Sequence, residues 1–275
     1  MAELQLTFWG TRGSLPCSGT QYLRYGGNTC CVELRHDGHT LIFDAGSGIR
    51  GLGERLAHDS AGQIDLMLSH YHFDHICGLP FFAPFFHSGN DVRLWAGQSA
   101  EWPNVSDMLD GFMKPPFFPI TPSAFRAHLG FHNFLAGDEL TLAWGAQVRT
   151  APLIHPQGAT GYRVEIADKS ICYVTDTEMA KDGKPTKAMI DLVMGADLLI
   201  LDTMFTDAEL NSCQGWGHSS WRQGIDLADA ADVKTLYLFH HHPLHDDTAM
   251  DRIAADAAET RPGTMVAREG ETIIL

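Results

Sequence analysis

The segment SHYHFDH, residues 69–75, places His70, His72 and His75 around Asp74. Imidazole and carboxylate are good donors for divalent cations near neutral pH, and a buried imidazole needs a hydrogen-bond partner or a metal. His70 and His72 are two residues apart, so at the end of an extended segment both side chains point the same way. Asp74 and His75 fall where a helix is expected to begin and can turn to an adjacent point. A donor set without thiolates suits Zn²⁺ in a catalytic site, with Mn²⁺ and Fe²⁺ as the other candidates. Cys77 lies beside the cluster, but no second cysteine stands at a ligand spacing, so it reads as a packing residue.

Three other apolar runs end on the same chemistry. His155 closes DELTLAWGAQVRTAPLIH, Asp176 closes GYRVEIADKSICYVTD, and His240 closes TLYLFH, with His241 as the alternative in FHHHPLHDD. Seven donors are too many for one tetrahedral ion and suit two. Two ions about 3.5–4 Å apart can hold a hydroxide between them and stabilise both attacking and leaving oxygens.

These donors need strands to carry them. ELQLTFWG alternates Leu4, Leu6 and Phe8 and reads as a first strand. CCVELRHDGHTLIFDAG is a hairpin turning at Asp37-Gly38. QIDLMLSH is a strand that ends at the histidine cluster, HICGLPFFAPFF a short apolar helix after it, and DVRLWAG another strand. Residues 101–122 mix prolines and aromatics without a period and read as a long loop with exposed apolar bulk, as a pocket lid or subunit contact would have. GYRVEIADKSICYVTD is a hairpin turning at Asp168-Lys169. ADLLILDTMF has the continuous apolar run of a buried strand. SSWRQGIDLADAADVK and DDTAMDRIAADAAETRPG read as helices, and TMVAREGETIIL as a last hairpin. With no repeat or linker, the 275 residues are expected to form one α/β domain, 1–275.

Composition narrows the partners. Lys and Arg number 19 against 34 Asp and Glu, a formal net charge of −15. Such a surface repels polyanions, and no basic run offers a nucleic-acid footprint, so long RNA or DNA is not expected. No apolar stretch is long enough to span a bilayer, and a soluble, cytoplasmic protein is expected. The six cysteines form no C-x-x-C pair and read as reduced thiols. His36, His39, His58, His87, His128 and His132 have no partners in sequence and read as solvated.

HYHFDH at 70–75 resembles the H-x-H-x-D-H signature of the metallo-β-lactamase superfamily, and LIFDAGSG with Asp44 resembles the strand and turn before it. Within the superfamily, FWGTRGSLP, LDTMFTDAE and GHSS are similar to motifs of the branch containing ribonuclease Z and cyclic phosphodiesterases. The resemblance runs from Phe8 to about His242. It implies an α/β fold, a four-layer αβ/βα sandwich of two mixed sheets. It also implies that His70, His72 and His155 hold one ion, that Asp74, His75 and His240 hold the other, and that Asp176 bridges them. Asp44 would orient a ligand histidine, and relatives in this branch are often dimers, so a homodimer is expected.

The superfamily hydrolyses β-lactams, thioesters, lactones and phosphodiesters, so the fold alone does not choose. Diiron relatives that reduce oxygen carry Glu where this chain has His72, which disfavours redox chemistry. A phosphodiester expels an alkoxide, a poor leaving group that gains from a proton; the branch resemblance assigns that donor to His218, held by Asp202. The expected activity is hydrolysis of a small phosphodiester, cyclic ones included, through a metal-bridging hydroxide. The alternatives are a lactone, thioester or carboxylic ester hydrolase with the same metals, and a non-catalytic metal sensor.

Overall fold

The computed structural model describes residues 3–59, 62–97 and 104–275. The chain forms two compact units, one of residues 1–10, 28–135 and 270–275, the other of residues 11–27 and 136–269. Each unit is built on one seven-stranded mixed sheet, so the protein is α/β with two mixed sheets.

In the first unit the strands are β1 (Gln5–Gly10), β2 (Cys31–His36), β3 (His39–Phe43), β4 (Gln63–Leu68), β5 (Asp91–Gly97) and β6 (His128–Phe134). They lie in that order, with the closing strand Thr272–Ile274 beside β1. The β2–β3 hairpin turns at Asp37-Gly38, both with positive φ, as the sequence predicts. From β3 to β6 the pairing is parallel. Leu66, Met67 and Leu68 of β4 are fully buried, and a central strand apolar on both faces delivers its next residues, Ser69 and His70, at a fixed place. The helices are α1 (Ile49–Leu56), α2 (Phe73–Ile76) and α3 (Val105–Phe112).

In the second unit the strands are β7 (Glu139–Thr141), β8 (Gln147–Leu153), β9 (Ala159–Ile166), β10 (Lys169–Val174), β11 (Leu198–Asp202), β12 (Thr235–Phe239) and β13 (Thr264–Val266), paired in chain order. All five residues of β11 are buried, as its apolar run predicts. The helices are α4 (Lys187–Val193), α5 (Asp207–Leu210), α6 (Trp221–Ala230) and α7 (Asp247–Thr260). Helix α6 starts at a Ser220–Gln223 capping box and buries Trp221, Ile225 and Ala228. The Asp246 side chain caps α7 by accepting from the Ala249 N–H at 2.8 Å.

Several expectations are corrected. HICGLPFFAPFF is not one helix: α2 is followed by 3₁₀ turns at Leu79–Phe81 and Ala83–Phe86, because Pro80 and Pro84 lack the N–H that a continuing helix needs. The 101–122 stretch contains α3, with residues 101–103 outside the described residues. The second hairpin turns at Ala167-Asp168, where both residues have positive φ. TMVAREGETIIL is not a hairpin: β13 joins β12 in the second unit and Thr272–Ile274 joins β1 in the first. His132 is not freely solvated but stacks on Trp95 with centroids 4.0 Å apart, whereas His128 is exposed as expected and reaches Asp91 at 2.9 Å. No helix among the described residues is long and apolar enough to cross a membrane.

One carboxylate ties strand ends of the second unit together. Asp197 accepts from the Ser170 N–H and hydroxyl at 2.8 and 3.0 Å and from Lys234 Nζ at 2.7 Å. Its partial burial works to raise the pKa, but these bonds outweigh burial and bring it to about 2, below the ordinary 3.8. A depressed carboxyl pKa adds stability that is complete above the unfolded value and lost as pH falls through the folded one. The melting temperature of the wild type is therefore expected to drop relative to Asp197→Asn as pH is lowered from 4 to 2. Parallel thermal melts of the two proteins over that range check this.

Candidate metal centre

In the first unit, β4 and the start of α2 present the donors. His72 is the N-cap of α2, so the chain changes from extended to helical between His72 and Asp74. The rings of His70 and His72 have centroids 4.5 Å apart, and those of His70 and His75 4.3 Å. Behind them lies Asp44, fully buried at the end of β3. Its Oδ1 accepts the Ser69 N–H at 2.7 Å and its Oδ2 accepts the Ser69 hydroxyl at 2.8 Å. Oδ2 also accepts from His75 Nδ1 at 2.7 Å. The hydroxyl proton of Ser69 being committed to Asp44, Oγ accepts from His70 Nδ1 at 3.0 Å. One carboxylate thus fixes two imidazoles with their Nδ1 atoms protonated, leaving Nε2 as the donor atom for a metal.

In the second unit, four loop segments that follow β8, β10, β11 and β12 bring His155, Asp176, His218 and His240 together. Ligand atoms of His155, Asp176 and His218 lie within 4.8 Å of one another. His155 Nδ1 donates to the Gly217 carbonyl at 2.9 Å, which again makes Nε2 the metal-facing nitrogen. Each oxygen of Asp176 meets a different imidazole: Oδ1 lies 3.6 Å from His155 Nε2, and Oδ2 lies 3.2 Å from His240 Nε2. The Thr175 hydroxyl donates to Oδ2 at 2.6 Å. Asp202, buried at the end of β11, accepts the Thr177 and Met204 N–H groups at 3.1 and 3.0 Å and His218 Nδ1 at 2.8 Å.

The donor set fits divalent metal ions on distances within each unit. His75 Nε2 lies 3.2 Å from Asp74 Oδ2, and His155 Nε2 3.6 Å from Asp176 Oδ1. With both Nδ1 atoms protonated, a nitrogen lone pair faces a carboxylate oxygen in each pair, which is repulsive without a cation. Two donors about 2.0–2.2 Å from one tetrahedral ion stand roughly 3.3 Å apart, close to the spacing found.

The run from His240 to His245 is divided by its bonds. His240 turns Nε2 to Asp176, whereas His241 Nε2 bonds the Ala267 carbonyl at 2.8 Å. Burial, aided by the Arg12 guanidinium, pushes the His241 pKa to about 3, so this imidazole is neutral. His245 Nε2 pairs with Glu209 Oε1 at 2.8 Å. Burial also lowers the His242 pKa, with the neighbouring His245 adding to it.

Three supporting residues were not singled out from sequence. Ser69 relays Asp44 to His70, and only its place next to His70 hinted at that. Gly13 passes so close to His240 that a Cβ would lie 2.4 Å from the ring. Gly217, at φ +85°, would bring a Cβ within 2.2 Å of His155 Nδ1. In contrast, Asp44, Asp176 and His240 hold φ values of 59°, 54° and 61° without being glycine; strain of this kind, on the order of 1–3 kcal/mol each, concentrates at functional sites.

Comparison with known proteins agrees with this chemistry. Residues 39–241 match the family model described as the beta-lactamase superfamily domain. Ribonuclease Z of Natronomonas pharaonis is 25% identical over 313 aligned positions, covering 98% of this chain and 97% of the relative. The metallo-β-lactamase fold protein YhfI from Bacillus subtilis superposes with a TM-score of 0.72 at 18% identity, each chain covered in full. A diphosphatase of the PhnP family gives a TM-score of 0.69 at 21% identity, over 100% of this chain and 98% of that one.

Gly217→Ala is expected to push His155 aside and weaken zinc binding by about 10–100-fold, as loss of a supporting contact does. Competition titration against a chromophoric chelator measures it, with circular dichroism to show that the fold persists. Unchanged affinity would remove His155 from the ligand set.

Proposed function

The chain belongs to the β-lactamase superfamily, in its ribonuclease Z-like branch, and from that premise we propose that this metal-dependent hydrolase cleaves a small phosphodiester, cyclic ones included. Residues 1–275 act as one catalytic domain. Two zinc ions would be held by His70, His72, Asp74, His75, His155, Asp176 and His240. When bound, the ions supply a hydroxide nucleophile and neutralise charge on the phosphate oxygens.

The observation that carries the phosphodiester reading is the buried His218–Asp202 pair, 2.8 Å from Nδ1 to Oδ2. Besides fixing the tautomer of His218, Asp202 accepts two further bonds from the Thr177 and Met204 N–H groups, which hold it in place. It therefore acts as a positioning residue. With Nδ1 committed, Nε2 of His218 is the atom that hands a proton to the departing alkoxide. A carboxylic ester, thioester or lactone needs less of that help, and a metal sensor needs none.

A small substrate is supported by charge. With 34 acidic and 19 basic residues, the chain lacks the cations that hold a polyanion. The similarity to ribonuclease Z favours RNA as a second reading, and cleavage of a precursor tRNA at physiological salt separates the two.

The test uses two leaving groups. Zinc-loaded protein is expected to hydrolyse bis(p-nitrophenyl) phosphate, and Asp176→Ala to lose both metal and turnover. His218→Ala should cost about 10²–10⁴-fold in kcat for a diester with an alkyl leaving group and far less for p-nitrophenoxide, which leaves without a proton. Equal losses for both leaving groups would end the proton-donor assignment. Diester turnover absent from protein holding two zinc ions per chain would turn the assignment to lactones and thioesters.

A further inference from the structure

The first unit contains a cavity of about 500 Å³ that none of the metal chemistry uses. Five of its walls are Phe73, Phe81, Phe112, Phe117 and Phe118, with Cys77 contributing the only polar side-chain atom among the described residues that line it. That thiol is already in contact with Thr29 Oγ1 at 3.7 Å. The size is that of a small-molecule pocket, roughly 300–1,000 Å³. Phe112 and Phe118 rest on the apolar core of the unit, whereas Phe73, Phe81 and Phe117 are exposed at 59%, 57% and 82%. Edge-to-face contacts hold the walls: Phe73 on Phe112 with centroids at 6.4 Å, and Phe81 on Phe118 at 5.8 Å.

The position of Phe73 gives the cavity its meaning. It stands in sequence between His72 and Asp74, so its Cα lies about 3.8 Å from the Cα of each proposed ligand. Phe73 and Cys77 are one helical turn apart and share a face of α2 and its cap, while Asp74 and His75 are buried. The same four-residue helix therefore presents donors and an apolar wall.

We infer that this cavity is the subsite for an apolar alkyl or aryl arm of the substrate, next to the group that reacts. The inference rests on the phosphodiesterase reading for the identity of that group. The walls offer the polar groups of a sugar or a nucleobase no side-chain partner besides the Cys77 thiol, so they favour a hydrocarbon group over either. A phosphodiester with one hydrocarbon ester group suits them: its charge stays at the ions and its chain covers the phenylalanines.

The experiment is a homologous series of p-nitrophenyl alkyl phosphates, methyl to octyl, with zinc-loaded protein. KM is expected to fall by up to about fourfold per methylene until the cavity is filled, with kcat little changed. Phe117→Ser and Phe81→Ser, at exposed positions that the fold tolerates, should flatten that dependence. Calorimetric binding of octylphosphonate against methylphosphonate supplies a readout without turnover. If no diester is hydrolysed but octylphosphonate still binds more tightly by a similar ratio, the subsite stands and the phosphodiesterase reading falls. If diesters are hydrolysed with a KM independent of chain length and the two phosphonates bind alike, the subsite is overturned and the phosphodiesterase reading stands. A flat series together with a dimer that Phe117→Ser dissociates would overturn it too, assigning the cavity to a second copy of the chain.

Discussion

Most of the first donor group depends on one buried carboxylate. Asp44 meets Ser69 and His75 with bonds of 2.7–2.8 Å and, through Ser69, reaches His70. Those contacts settle two tautomers, two ring orientations and the exit of the chain from β4. A carboxylate with no solvent contact is tolerated only when its hydrogen bonds are made, and here the donors are the backbone and side chains that must be placed. The cost of burying the charge is offset by the same bonds that define the site. Removing the carboxylate would leave His75 Nδ1 and the Ser69 N–H buried without their acceptor, so the fold and the metal geometry would suffer together.

The second unit repeats the device with different parts. Asp202 sits at the end of β11 as Asp44 sits at the end of β3, each fully buried, and it binds two backbone N–H groups and one imidazole. Asp176 differs from both. Its two oxygens face two imidazoles at 3.2 and 3.6 Å, a spacing that would suit donors around a cation. The left-handed backbone at Asp44, Asp176 and His240 belongs to the same economy of placement. Each strand must end abruptly to aim one side chain, and the strain is held by buried apolar strands such as Leu198–Leu201, where every residue is fully buried. An alanine in place of one of those leucines typically costs about 2–5 kcal/mol.

What the sequence shows of this follows from what is local. Strands β1, β4, β5 and β11 and helices α6 and α7 are readable because alternation, continuous apolar runs and capping residues act within a few positions. The candidate donors stand out because His and Asp recur where apolar strands end, although His241 beside β12 shows that such an imidazole can also serve the fold. Helix α3 is hidden by the prolines and aromatics after it, and β6 by glycine, asparagine and two histidines, one of which stacks on Trp95. The closing segment reads as a hairpin because its two strands are short and turn-separated; their separation into different sheets is decided by pairing with β12 and β1, more than 25 and 200 residues away in the chain. Gly217 and Ser69 escape for a related reason. Their importance lies in what a distant ring does beside them, and no spacing rule contains that.

Charge connects these features to substrate choice. A chain with a formal net charge of −15 concentrates cations and repels anions, yet the proposed substrate is an anion. The attraction would then come from bound metal ions, whose field acts at a few ångströms and is barely screened there, whereas the repulsion from dispersed surface carboxylates is damped over a Debye length of about 8 Å. A compact diester meets the first field and little of the second. A polyanion extends across the acidic surface and meets both. On the proposed function, selectivity for small substrates would need no steric gate: it would follow from where the positive charge is held, and apolar contacts such as those of the phenylalanine cavity would distinguish one small diester from another.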